Sequence, residues 1–77
     1  MQEYIATFHT NFGASQFARA LKAAGIRHRM MPVPRALSSS CGTCVRLWCK
    51  DASSLPREEE QEGLYRVEGS SYLPVEV

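Results

Sequence analysis

The sequence predicts a small α+β fold, a β-α-β-β-(α)-β ferredoxin-like sandwich with a short or degenerate second helix. Three observations lead there: a strand-like alternation at the N-terminus, an amphipathic helix pattern directly after it, and two further strand patterns on either side of a Ser/Gly-rich loop. At 77 residues there is room for one core only, assigned to residues 1–68, with 69–77 expected as a loose C-terminal tail.

Each element has its own signal. Residues 3–9 mix β-branched and aromatic types, with Tyr4, Ala6 and Phe8 alternating against Ile5 and Thr7, which predicts a strand. Thr10 or Asn11 then offers a capping oxygen. Ala14, Phe17, Ala18, Leu21 and Ala24 recur at spacings of three and four, the apolar stripe of one helix, and Gly25 is its expected stop. Ile26–Val33 is a second strand that must finish at a sheet edge or in a loop, because Pro32 and Pro34 cannot donate to a ladder. A strand, a helix and a strand with short joints make a βαβ unit with its two strands parallel. Residues 35–43 read as a polar loop into a third strand, on which Val45, Leu47 and Cys49 alternate with Arg46 and Trp48. Pro56 and the acidic run after it suggest a short solvated helix, and Leu64–Glu68 a last strand.

Composition narrows the function classes. Apolar residues are 44% of the chain and charged ones 22%, so the chain is globular, and no apolar run is long enough to span a membrane. Net charge is +1, yet residues 1–50 carry +6 and residues 51–77 carry −5. The basic residues are spread along the chain without an aromatic-rich segment, so neither a nucleic-acid nor a membrane partner is expected. Met1-Gln2-Glu3-Tyr4 has neither the basic stretch nor the apolar block of a signal peptide, and the expectation is a reducing cytoplasm with three thiols. The sheet edges leave a homodimer open.

The reactive constellation is Ser38-Ser39-Ser40-Cys41-Gly42-Thr43-Cys44. Cys41 and Cys44 have the spacing for a reversible disulfide or a shared soft metal. Gly42 lets the backbone turn beside the first sulfur, and Arg35 and Arg46, with Lys50 nearby, would favour thiolate, the form that attacks sulfur or selenium. Cys49, in phase with Val45 and Leu47, reads as core filler. The rival is a zinc or iron–sulfur accessory site on Cys41, Cys44 and Cys49, with His9 or His28 as a further ligand. A third possibility is an adaptor with incidental cysteines. His9 and His28 otherwise read as structural, His9 being the better placed for a ligand, and Glu58-Glu59-Glu60 reads as a solvated face.

Met31-Pro32-Val33-Pro34-Arg35, then Ser39-Ser40-Cys41-Gly42, Arg46 and a closing Leu64-Tyr65-Arg66-Val67 resemble the small bacterial selenium/sulfur (Se/S) carrier protein-like domains, over residues 4 to 67. The resemblance implies a carrier more than a turnover enzyme. Cys41 would hold a persulfide or selenosulfide, with Arg35, Ser40 and Gly42 forming its loop and no bound cofactor. Cys44 would release or protect the cargo, and Arg35 and Arg46 would stabilise its charge. A protein donor such as a cysteine desulfurase and a protein acceptor would be the partners.

Overall fold

The computed structural model describes residues 1–75. In chain order the elements are β1 (Gln2–Phe8), α1 (Asn11–Ala23), β2 (Arg27–Pro32), β3 (Thr43–Cys49), a single 3₁₀ turn (Ala52–Ser54), β4 (Gln61–Glu68) and β5 (Ser71–Pro74). The strands form one sheet in the order β2-β3-β1-β4-β5, and every neighbouring pair is antiparallel. β1 and β2 both run against β3, so they are parallel to each other, as the βαβ reading requires, with β3 between them.

The helix forms where its stripe lies. Thr10 Oγ1 accepts from the Gly13 amide at 3.0 Å, which settles the N-cap. At the other end Ile26 N donates to Leu21 O and Gly25 N to Lys22 O, the paired bonds of a Schellman cap, with Gly25 at φ +73°. Ala24 caps the helix and is exposed, so the buried stripe ends at Leu21. Phe17, Leu21 and Ala14 pack on Tyr4, Ala6, Phe8, Val45, Leu47 and Leu64, and the rings of Phe8 and Phe17 meet at 5.3 Å between centroids. Burying each large side chain contributes on the order of 2 kcal/mol. The helix thus covers one face of the sheet.

Four expectations need correction. No second α-helix forms among the described residues: Asp51 caps only the 3₁₀ turn, and Ala52 and Leu55 supply the apolar contacts that the acidic run lacks. A groove of about 880 Å³ lies beside this segment, lined in part by Tyr4, Leu55, Glu58, Leu64 and Val75. The last strand starts earlier than expected, at Gln61, and the expected loose tail from residue 69 contains β5, whose Tyr72 pairs with Val67 and Pro74 with Tyr65. Residues 76 and 77 of that tail lie outside the described residues. With one α-helix and five strands among the described residues, the arrangement departs from a simple ferredoxin-like sandwich.

Candidate functional site

The loop between β2 and β3 carries Cys41. It is closed by Val33 N donating to Gly42 O at 3.1 Å and braced by a turn from Leu37 N to Pro34 O. Gly42 takes φ +74°, a left-handed conformation that L side chains resist. That turn doubles the chain back on Cys41: Thr43 N donates to Cys41 Sγ at 3.5 Å, while the thiol is positioned to donate to Thr43 O at 3.3 Å. Ser39 Oγ, 3.9 Å from the same sulfur, donates to Phe8 O at the end of β1. Cys41 is half-buried, and its inner side rests against the helix-side core. One side of the sulfur is therefore held by backbone and hydroxyl groups while the residue stays partly open to solvent. An N–H aimed at a sulfur supports an anionic form of it.

Ser40 is tied down from across the sheet. Glu62 accepts from Ser40 N at 3.1 Å and from Ser40 Oγ at 2.9 Å, and these bonds hold its carboxyl below the usual carboxylate range. A register shift explains how it gets there. Thr7 pairs with Gly63 and Phe8 with Gln61, so Glu62 is an extra residue bulged out of β4. His9 Nδ1 lies 3.4 Å from Glu62 Oε2, and the His9 amide donates to Glu60 O. The sequence reads His9 as structural, though better placed than His28 for a ligand, and gives no sign of Glu62, because nothing in a run of acids marks which one is bulged. The run is also less uniformly solvated than expected, since Glu60 accepts from Thr10 Oγ1 at 3.3 Å.

The other predicted site residues are dispersed. Cys44 is fully buried, donates to Pro32 O at 3.6 Å, and lies on the sheet face away from Val45 and Leu47. Burial pushes its thiol up to about 11, with the positive charge of Arg46 pulling the other way and Cys41 adding a smaller upward push. Arg46 shares that face and reaches Glu3 at 3.0 Å. Arg35 is exposed on the Cys41 loop. Cys49 lies in the helix-side core and donates to Asp51 O at 3.5 Å; burial raises its thiol too. Five positions along an extended strand put Cys44 and Cys49 about 16 Å apart and on opposite faces, and no metal-holding cluster occurs among the described residues. His28 Nδ1 is satisfied by Ile26 O at 2.9 Å.

A small α+β domain that holds one partly buried cysteine on a strand-to-strand loop is the class of protein that fold and site define. The chain belongs to the family described as "Putative Se/S carrier protein-like", whose profile matches residues 3–67. It is 41% identical over 49 residues to the "Uncharacterized protein YtiA" of Escherichia coli (strain K12), an alignment covering 64% of this chain and 58% of that relative. No solved structure matches. No helix among the described residues is long and apolar enough to cross a membrane.

Proposed function

We propose that this domain is a sulfur or selenium carrier that holds the chalcogen on Cys41. The observation that carries the reading is the Thr43 N–H aimed at the Cys41 sulfur in a loop closed by left-handed Gly42. Family membership supports it at the level of the family's description. The loop hangs on the β1–α1–β2 unit, with β3 between its two strands.

In the loading step the Cys41 thiolate attacks the terminal sulfur of a donor persulfide. The donor's S–S bond breaks, a new S–S bond forms on Cys41, and the donor cysteine leaves as a thiolate. Unloading is the same displacement by an acceptor thiolate on the terminal atom, so no external oxidant or reductant enters. The persulfide anion sits one atom beyond Sγ, bonded to the sulfur to which the Thr43 N–H donates, with the Ser39 hydroxyl, its proton given to Phe8 O, lining that side. Arg35 stands on the same loop as Cys41; Arg46 acts on the far face of the sheet through Glu3 and Cys44. In this reading Cys44 is a structural thiol, since burial disfavours the thiolate it would need to resolve a persulfide. A reducing compartment keeps Cys41 available.

The test is direct. The reduced protein is incubated with a cysteine desulfurase and cysteine, and its intact mass is taken. The expected result is a gain of one sulfur that Cys41→Ser abolishes and Cys44→Ser and Cys49→Ser retain. No gain, or a gain that survives Cys41→Ser, contradicts the proposal.

A further inference from the structure

Among the described residues the face of the sheet opposite α1 carries no helix, and the strand register assembles it from residues far apart in sequence. One transverse row reads Arg29, Arg46, Ile5, Tyr65 and Pro74, each opposite the next. The adjacent row holds Arg27, Trp48 and Glu3, with Val67 and Tyr72 paired at its other end. Arg27 lies over the Trp48 ring, 4.8 Å from its centroid. Tyr65 lies down across Gly63: a Cβ there would come 3.2 Å from the Tyr65 ring, so the glycine makes room for the ring on the sheet. Trp48, Tyr65 and Tyr72 all remain partly exposed, and Arg27 and Arg29 are exposed. Among the described residues Arg27 and Arg29 form no ion pair, while Arg46 pairs with Glu3.

We infer that this face binds a single-stranded polynucleotide, its phosphates on Arg29 and on Arg27, whose guanidinium leaves the Trp48 ring it now covers, and its bases against Tyr65 and the ring so uncovered. Rings on a sheet surface beside guanidinium groups provide the stacking and phosphate contacts that such a strand requires. An acidic polypeptide would use the arginines and leave the Tyr65 and Trp48 rings without a role. A second copy of this face would set arginines against arginines. Dispersal of the arginines along the sequence argued against a nucleic-acid partner, but strand pairing gathers three of them into neighbouring positions on one surface. The inference is independent of Cys41, which packs against the core on the helix side.

Trp48 is the only tryptophan, so its fluorescence reports this face without any substitution. Titration of the protein with 12-nucleotide RNA and DNA single strands, followed by anisotropy of a labelled strand and by Trp48 emission, tests the proposal. Binding should quench Trp48. With two phosphate contacts, affinity should fall about sevenfold between about 50 and about 200 mM salt. Arg27→Gln with Arg29→Gln, both at exposed positions, should cost at least about tenfold in affinity, and Cys41→Ser should bind like the wild type. The RNA and DNA arms say which sugar is preferred. No binding at low salt, or binding that neither quenches Trp48 nor responds to the double variant, overturns the inference. So does equal quenching by polyglutamate, which would make the occupant an acidic polypeptide. Self-association lost in the double variant would overturn it in favour of a second copy.

Discussion

Cys41 and Cys44 stand three residues apart and occupy opposite environments. Cys41 lies in a loop, half-buried, with a backbone N–H donating to its sulfur. Cys44 lies on β3, fully buried, its thiol donating to a carbonyl and its ionisation pushed up to about 11. The difference begins at Gly42, whose left-handed turn separates loop from strand. After it, strand alternation sends Thr43 to the helix side and Cys44 to the other. Two cysteines in a C-x-x-C spacing are thus not a pair by virtue of the spacing. What the backbone does between them decides whether they share chemistry.

The comparison breaks most sharply on a charge. Cys44→Asp puts a carboxylate into a site with no exposure, and the domain should lose at least about 4 kcal/mol and fail to fold at room temperature. Cys41→Asp should cost less than about 1 kcal/mol, because the new carboxylate accepts the Thr43 N–H that the sulfur now accepts. Chemical denaturation of both variants checks this, and equal losses would refute it.

Base should reveal the same asymmetry more gently. The Cys44 thiol is raised in the folded state, so its contribution to stability is complete below the ordinary thiol range and is lost as pH climbs toward about 11. The wild type should lose on the order of 2 kcal/mol across that window, and Cys44→Ala should flatten the decline, leaving the smaller part due to Cys49. Urea midpoints measured from neutral pH upward supply the curve.

Gly42→Ala forces a side chain into the left-handed region and should cost about 1 kcal/mol. Its sharper effect is on Cys41, whose alkylation rate should change while Cys44 stays protected. The smallest expected effect is at Glu62. Its folded-state carboxyl is lowered, so the Ser40 clamp holds above the ordinary carboxylate range and releases as pH falls through the folded value. Glu62→Gln should speed hydrogen exchange at the Ser40 amide without moving the thermal midpoint measurably.

Much of this was legible in the residues. The alternation around Tyr4–Phe8, the stripe from Ala14 to Leu21 and the stop at Gly25 each encode their element locally, because periodicity and capping act within a few residues. The Ser/Gly setting of Cys41 was equally plain. The rest depends on contacts far apart in the chain. Burial of Cys44 on a helix-free face comes from pairing with Met31 and Thr7, which the sequence of β3 does not contain. The Glu62 clamp spans 22 residues and rests on a bulge in β4. β5 had a local signal, the two-residue Gly69-Ser70 connection between strand-like runs, which the expectation of a loose tail overrode.

The central claim is that Cys41 alone among the three thiols is available to react in the native fold. Brief alkylation of the reduced, folded protein with iodoacetamide at neutral pH, followed by peptide mapping, measures all three side chains at once. Cys41 should be modified at least about tenfold faster than Cys44 and Cys49. Labelling of Cys44 at a rate equal to or above that of Cys41 would contradict the account.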